Sequence, residues 1–304
     1  MTIQQSANIA TCKVSPNSSY KLFSTATQSS PNVDPMKLGL IGCGKMGRAL
    51  LEGALKNGIV KAQDVYVSSR TEETRTALAK ELGVNAMDSN TELASKADVV
   101  YLCTKPNVTP IVLIELAESP ECLDGTLLIS AAAGLPLLQI EQALPGSARV
   151  VRCMPNTPAL IGKGAAAYTI GTNASVADAE MTCKLLKAVG SVIEVPESLM
   201  DAVTGVSGSG PAYVYTFIEA MADGGVLKGL PRAQALELAT QTVLGAASMV
   251  AKTGLHPAIL RDMVTSPGGT TIAAVQALED NGFRSATIAA VEASTEKSKE
   301  LGRK

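Results

Sequence analysis

The sequence predicts an α/β fold, with an N-terminal domain built on a parallel sheet followed by an all-helical C-terminal domain. Three observations carry this prediction. Residues 36–55 join a short apolar run, a glycine-rich turn and a helical pattern. Near-continuous apolar runs then recur to about residue 195, as expected of parallel strands covered on both faces. From Gly208 onward the β-type runs largely give way to long helical patterns.

The first element organises the rest. Leu38, Leu40 and Ile41 lead into Gly42-Cys43-Gly44-Lys45-Met46-Gly47, and Leu50, Leu51 and Leu55 continue at helical spacing. A G-x-G-x-x-G turn between a strand and a helix is a dinucleotide-binding fingerprint of the Rossmann type. Gly42 is expected to turn the strand tightly, and Gly44 to let the backbone approach a pyrophosphate. Gly47 is expected to pack the helix close to the strand. The free N–H groups of the first helical turn would hold the phosphates.

The second strand is expected over residues 64–69, and its end bears on the choice of nicotinamide cofactor. A site for NAD tends to place an acidic residue there, against the ribose 2′-hydroxyl. This chain has Ser68-Ser69-Arg70-Thr71 instead. Two hydroxyls and a guanidinium suit a 2′-phosphate through charge-assisted hydrogen bonds, which favours NADPH over NADH. A helix over 72–82, a short strand over 84–87 and a brief helix from Asn90 follow. The apolar run 98–103 then delivers Thr104-Lys105-Pro106 to the edge where open α/β sheets bind ligands. Lys105 is a candidate for the ribose or nicotinamide side. Strands over 126–130 and 148–153 deliver Ala131-Ala132-Ala133-Gly134 and a rigid turn, Met154-Pro155-Asn156-Thr157-Pro158, to the same edge. Later strands are expected over 164–170 and 191–195, with a helix over about 175–189 between them.

In the helical part, Leu236, Ala239, Val243, Ala247 and Val250 mark one face of a helix between Pro231 and Gly254. Three polar stretches are expected to interrupt the helices: Ser207-Gly208-Ser209-Gly210-Pro211, Asp223-Gly224-Gly225 and Ser266-Pro267-Gly268-Gly269-Thr270-Thr271. The last opens a helix over about 271–278. Backbone N–H groups from Gly268 to Thr271 with two hydroxyls would make a carboxylate-sized anion site, and Thr270 could also act as an N-cap. Some hundred residues of small and apolar helices are too few to bury every such face, so an intimate subunit interface is expected.

Composition bounds the function classes. The chain of 304 residues can bury a large core and is expected to divide at about residue 198. With 18% charged residues and a net charge of -2, no electrostatic nucleic-acid surface is expected. No apolar stretch approaches the length that spans a bilayer. Six scattered cysteines without a CxxC, and His256 as the only histidine, indicate neither a zinc site nor a disulfide framework. Cys43 and Cys103 read as small buried residues near strand ends. Residues 1–35 differ from the rest: eleven Ser or Thr, two Lys and one acid without periodicity. They read as a disordered tail or an organelle-targeting segment, leaving the expected compartment as the cytoplasm, or a plastid or mitochondrion if the segment directs it there.

The motifs LGLIGCGKMG, CTKP, SAAAG, RCMPNTPA, VSGSGPAYVY, ADGGVLKGLPR, DMVTSPGGTTIAA and LEDNGFRSATIAAVEAS occur in that order. Through them the chain from Met36 onward resembles the pyrroline-5-carboxylate reductase family. The resemblance implies an NAD(P)H-binding Rossmann domain over 36–198 and a helical dimerisation and substrate domain over 199–304. It also implies a homodimer, with larger assemblies of dimers. It places Gly42, Cys43, Gly44, Lys45, Met46, Ser69, Arg70, Lys105 and Asn156 around the cofactor. It gives Gly268, Gly269, Thr270 and Thr271 to the substrate carboxylate, with the Thr271 hydroxyl reaching the ring nitrogen as the catalytic contact. The chemistry of the residues agrees. His256, beside Pro257 at a helix boundary, reads as structural, so a carbonyl substrate would lack an evident proton donor. A cyclic imine can carry the proton on its own nitrogen, and the protein need mainly position it over the nicotinamide. A dehydrogenase of the 2-hydroxyacid or 6-phosphogluconate kind is the alternative. It calls for a catalytic lysine on the helix entering the second domain, and Lys184 and Lys187 have no matching signature around them. A cofactor-binding scaffold without catalysis would more readily have lost the threonine pair.

Overall fold

A computed structural model describes residues 36–303. The polar extension over 1–35, with Cys12, lies outside the described residues.

The chain starts as expected, with β1 (Leu38–Ile41), α1 (Lys45–Lys56), β2 (Val65–Ser68), α2 (Glu72–Leu82), β3 (Asn85–Ala86), α3 (Asn90–Lys96) and β4 (Val99–Leu102). It continues through α4 (Thr109–Ala117), β5 (Leu127–Ser130), α5 (Leu137–Gln142), β6 (Arg149–Met154), β7 (Gly164–Ile170), α6 (Val176–Lys187) and β8 (Gly190–Glu194). The eight strands form one sheet in the order β3-β2-β1-β4-β5-β6-β7-β8. All neighbours are parallel except β6 and β7, so the last two strands run against the first six.

Alternation along the strands builds a core on each face. Leu38, Leu40, Val99, Tyr101, Leu127, Ile129, Val151 and Cys153 face α1, α2 and α6. Ile41, Val100, Leu102, Leu128 and Val150 face α3, α4 and α5. Burial on both sides is why these strands read as continuous apolar runs rather than alternating ones. The order of chain connections reverses between β1 and β4, and a ligand crevice opens beyond their C-terminal ends in sheets of this kind.

The helical half comprises α7 (Met200–Val203), α8 (Gly210–Leu227), α9 (Arg232–Thr253), α10 (Pro257–Met263), α11 (Thr270–Asp280) and α12 (Phe283–Gly302). Here the expectations need correction. The Ser207-to-Pro211 stretch does not break the helical path, because a π-helical turn over Thr204–Gly208 joins α7 to α8. Pro211 lies in the first turn of α8, where a missing N–H is tolerated. Asp223-Gly224-Gly225 lies inside α8 for a packing reason. A Cβ on Gly225 would stand 3.1 Å from the Cβ of Ala235, so its absence lets α9 approach. The buried seam of that pair is Ala222, Ala235 and Ala239, with Ile218 and Val226 beside it. Of the expected α9 face, Leu236 stays 47% exposed and Val250 37%. Ala239 of that face lies in the seam while its two ends are turned from their own chain.

The last helix, α12, packs back on the start of the helical half and reaches the sheet half at its far end. Ser298 donates to Asp201 at 2.6 Å, and the Ser209 and Ser294 hydroxyls are 2.8 Å apart. Tyr213 donates towards the carbonyls of Gly205 and Ala290, each at 3.2 Å. At its far end the Gly302 carbonyl accepts from Gln139 of α5 at 2.9 Å.

Candidate functional site

The glycine turn has the geometry its sequence demands. Gly42 takes φ +97°, and a Cβ there would press on the backbone of Cys103 and Thr104 at 2.8–2.9 Å. The turns after β1 and β4 therefore lie against each other at the point where the order of connections reverses. A Cβ on Gly47 would stand 2.4 Å from the Gly42 carbonyl oxygen, so α1 can seat on the turn only with glycine there. Gly44, the residue before α1, has nothing within 4 Å of such a Cβ. It faces open space in front of the helix, where a phosphate would approach the first free N–H groups. Lys45 is exposed and Met46 half-buried beside it.

Cys43 is not a nucleophile in waiting. Its thiol points at the Ser68 carbonyl, 3.3 Å away, and burial pushes it up to about 11. Burial raises Cys103 well above its ordinary range and Cys153 to about 12. All three thiols are neutral at physiological pH.

At the end of β2, Ser68 is buried and donates to Asn90 at 2.6 Å. Ser69 is half-buried, and Arg70 is exposed with no ion pair or hydrogen bond among the described residues. Sequence reading passed over Arg75. Its largely buried guanidinium pairs with Asp88 and reaches the Ser69 carbonyl, which fixes the loop that presents Arg70. Only the fold brings Arg75 back to that loop, one turn into α2.

Beyond β4, the Lys105 carbonyl accepts from the N–H groups of Val108 and Thr109, while its ammonium is exposed and unpaired among the described residues. Asn156, after β6, is buried, and both ends of its amide are engaged by the protein. Its oxygen accepts from the Ala165 N–H at 2.9 Å, and its nitrogen donates to the Ser207 carbonyl at 3.0 Å.

The anion turn stands on the helical half. Gly268 takes φ +66°, the Gly269 N–H closes on the Ser266 carbonyl at 3.1 Å, and Gly269 precedes α11 in extended conformation. The capping position thus falls to Gly269 rather than Thr270, and no side chain caps the helix. Thr270 is exposed and Thr271 half-buried, and neither hydroxyl has a partner among the described residues. A helix N-terminus with uncapped N–H groups and two uncommitted hydroxyls has the chemistry to receive a carboxylate. No hydrogen bond or ion pair among the described residues joins this turn to the elements around Gly42, Arg70 and Lys105. His256 sits at the start of α10, where its Nδ1 accepts from the Ala258 N–H at 3.2 Å, the structural role expected of it. Lys184 and Lys187 lie on α6, which packs on β8 and leads into that strand rather than into the helical half. Among the described residues no group of His, Cys, Asp and Glu is arranged to hold a metal, and no helix is long and apolar enough to cross a membrane.

Comparison with known proteins accounts for both halves. The family model described as pyrroline-5-carboxylate reductase dimerisation matches residues 197–301, and one described as NADP oxidoreductase, coenzyme F420-dependent, matches 37–134. A pyrroline-5-carboxylate reductase of Methanosarcina acetivorans is 46% identical, over 90% of this chain and 100% of its own length. That of Arabidopsis thaliana is 42% identical, over 88% and 96%. Among solved structures, the pyrroline-5-carboxylate reductase of Coxiella burnetii superposes with a TM-score of 0.83 at 34% identity, covering 88% of this chain and 99% of that one. The Plasmodium falciparum pyrroline carboxylate reductase, solved with NADP bound, gives 0.79 at 36% identity, covering 88% and 98%. On identity sustained along nearly the whole of these relatives, the chain belongs to the pyrroline-5-carboxylate reductase family.

Proposed function

We infer that this protein reduces the C=N bond of (S)-1-pyrroline-5-carboxylate to give L-proline with NADPH, the last step of proline biosynthesis. The observation that carries the reading is the uncapped turn of α11. It offers N–H groups and two free threonine hydroxyls to an anionic imino acid.

Gly42, Cys43, Gly44, Lys45 and Met46 form the pyrophosphate turn, Ser69 and Arg70 take the 2′-phosphate, and Lys105 and Asn156 stand at the nicotinamide end, where Lys105 makes the contact and the Asn156 amide is already engaged by Ala165 and Ser207. NADPH, when bound, supplies the hydride for the imine carbon. Gly268, Gly269 and Thr270 hold the carboxylate, and Thr271 meets the ring nitrogen and keeps the ring in register. The substrate's own nitrogen carries the proton, so the chain orients rather than protonates it.

The division into a cofactor domain over 36–198 and a dimerisation and substrate domain over 199–304 belongs to this reading. So does a homodimer as the working unit, with a higher assembly of dimers beyond it. We place the protein in the cytoplasm, or in a plastid or mitochondrion if residues 1–35 direct it there. Initial rates with NADPH and with NADH on pyrroline-5-carboxylate, beside short hydroxy and keto acids, test the reading. Turnover confined to the imino acid and faster with NADPH is expected. Oxidation of a hydroxy acid alone would move the protein to the 2-hydroxyacid or 6-phosphogluconate kind of dehydrogenase.

A further inference from the structure

The π-helical turn over Thr204–Gly208 leaves one of its carbonyls dependent on a donor from outside the helix. In an α-helix the Ser207 carbonyl would accept from the N–H four residues on, but that residue is Pro211, which has none. A partly buried carbonyl left without a donor is costly. Asn156 supplies the donor from outside the helix, at 3.0 Å. Its oxygen is meanwhile occupied by the Ala165 N–H of β7, at 2.9 Å. The planar amide thus presents a donor to one segment and an acceptor to another, a pairing that aspartate, with two acceptors, cannot reproduce. Met154, two residues earlier, touches the same turn. A Cβ on Gly208 would stand 2.6 Å from its methyl carbon. The end of β6 and the residues just after it therefore seat the turn on two sides, at the joint between the sheet and the helical half.

We propose that Asn156 is a positioning residue that locks the π-turn to the end of β6 and so sets the helical half, which carries the anion turn, relative to the cofactor-bearing sheet. The consequence for turnover rests on the reductase reading; the lock itself does not. Placing a substrate about 1 Å away from its reacting partner can cost about a hundredfold in rate. Loss of the lock should therefore appear in kcat, while NADPH, held mainly by the Gly42 and Arg70 loops, should still bind.

The test uses the full chain, Asn156→Ala and Asn156→Asp, each checked for folding by circular dichroism. Three quantities are measured: hydrogen exchange of the peptide spanning 204–210, NADPH affinity by fluorescence titration, and kcat and KM for pyrroline-5-carboxylate. Faster exchange in 204–210 is expected for both variants, with NADPH affinity within about twofold of the parent and kcat about ten- to a hundredfold lower. Asn156→Asp should do no better than Ala, although it keeps the shape. The proposal is overturned if exchange stays at the parent rate, if Asn156→Asp restores the parent kcat, or if NADPH affinity falls as far as kcat/KM does. A parent that does not turn over the imino acid would refute the reductase reading, and the exchange measurement would still decide the lock.

Discussion

Arg152 of β6 and Glu197, just before α7, form an ion pair across the joint between sheet and helices, with Arg152 only 5% exposed in its side chain. The same carboxylate oxygen also accepts from the Leu137 N–H at 2.9 Å, so one side chain serves β6 and the start of α5 together. Removing one partner would leave the guanidinium buried without its counter-charge. Glu197→Ala is expected to destabilise the fold by about 2–4 kcal/mol, somewhat eased because Glu197 itself is about a third exposed. Replacing both partners by apolar residues, as in Arg152→Met with Glu197→Leu, should cost less than the single change. Urea unfolding of the parent and the two variants checks the order, and a double variant weaker than Glu197→Ala would refute it.

Arg70 should discriminate between the two nicotinamide cofactors. It is exposed at the end of β2, with no partner of its own among the described residues. Arg70→Ala should weaken NADPH binding about ten- to a hundredfold, the loss of a charge-assisted contact, and barely alter NADH binding. Titration with both cofactors decides it. Equal losses would detach Arg70 from the 2′-phosphate.

Thr271 should matter to the imino acid and not to the cofactor. Thr271→Ala and Thr271→Val are each expected to lose about 1–3 kcal/mol in kcat/KM, with NADPH affinity nearly unchanged. Gly269→Val should be worse, since a Cβ there would meet the Ser266 hydroxyl oxygen at 2.3 Å and distort the turn. Steady-state kinetics on folded variants check the series. Full activity in both Thr271 variants would reduce the residue to a helix-start position.

The exposed faces of the helical half predict an obligate assembly. Leu227, Leu238, Leu244, Met249, Met263, Val264 and Ile288 are exposed in the single chain. So large an apolar surface calls for a partner. Sedimentation at micromolar concentration should show no monomer. One chain per particle would remove this claim, together with any site shared between subunits.

The buried thiols predict the alkaline limit of stability. Cys43 is raised from an ordinary 9.0 to about 11, and Cys153 to about 12. Above pH 9 the unfolded chain releases these protons while the folded chain still holds them. The folded state then binds more protons than the unfolded one, so the unfolding free energy falls as pH rises. Stability owed to the neutral thiols is therefore fully present below about pH 9 and lost as pH rises through 11 to 12. Urea midpoints between pH 8 and 11 should decline, and the decline should flatten when Cys43 and Cys153 are both replaced by alanine. A midpoint that stays level over that range would contradict the burial of these groups.

What the sequence determined by itself is local. The turn at Gly42, Gly44 and Gly47, the missing acid before Arg70, and the turn leading to Thr271 are properties of a few adjacent residues. Their backbone freedom and free N–H groups do not depend on distant partners. The apolar runs of β4 and β5 were legible for a similar reason, because burial on both faces imprints composition directly. Tertiary structure decided the rest. Glycine and serine at 207–210 read as a break but form a helical path, and Asn156, some fifty residues away, satisfies the carbonyl that Pro211 leaves unpaired. The support of Arg70 by Arg75 and the pairing of Arg152 with Glu197 likewise need the sheet and its connections in place. The face of α9 that sequence assigned to packing is partly turned outward, since periodicity shows that a helix has an apolar side but not which neighbour covers it. A side chain's partner across the fold is set by the path of the backbone, and no window of neighbouring residues carries that information.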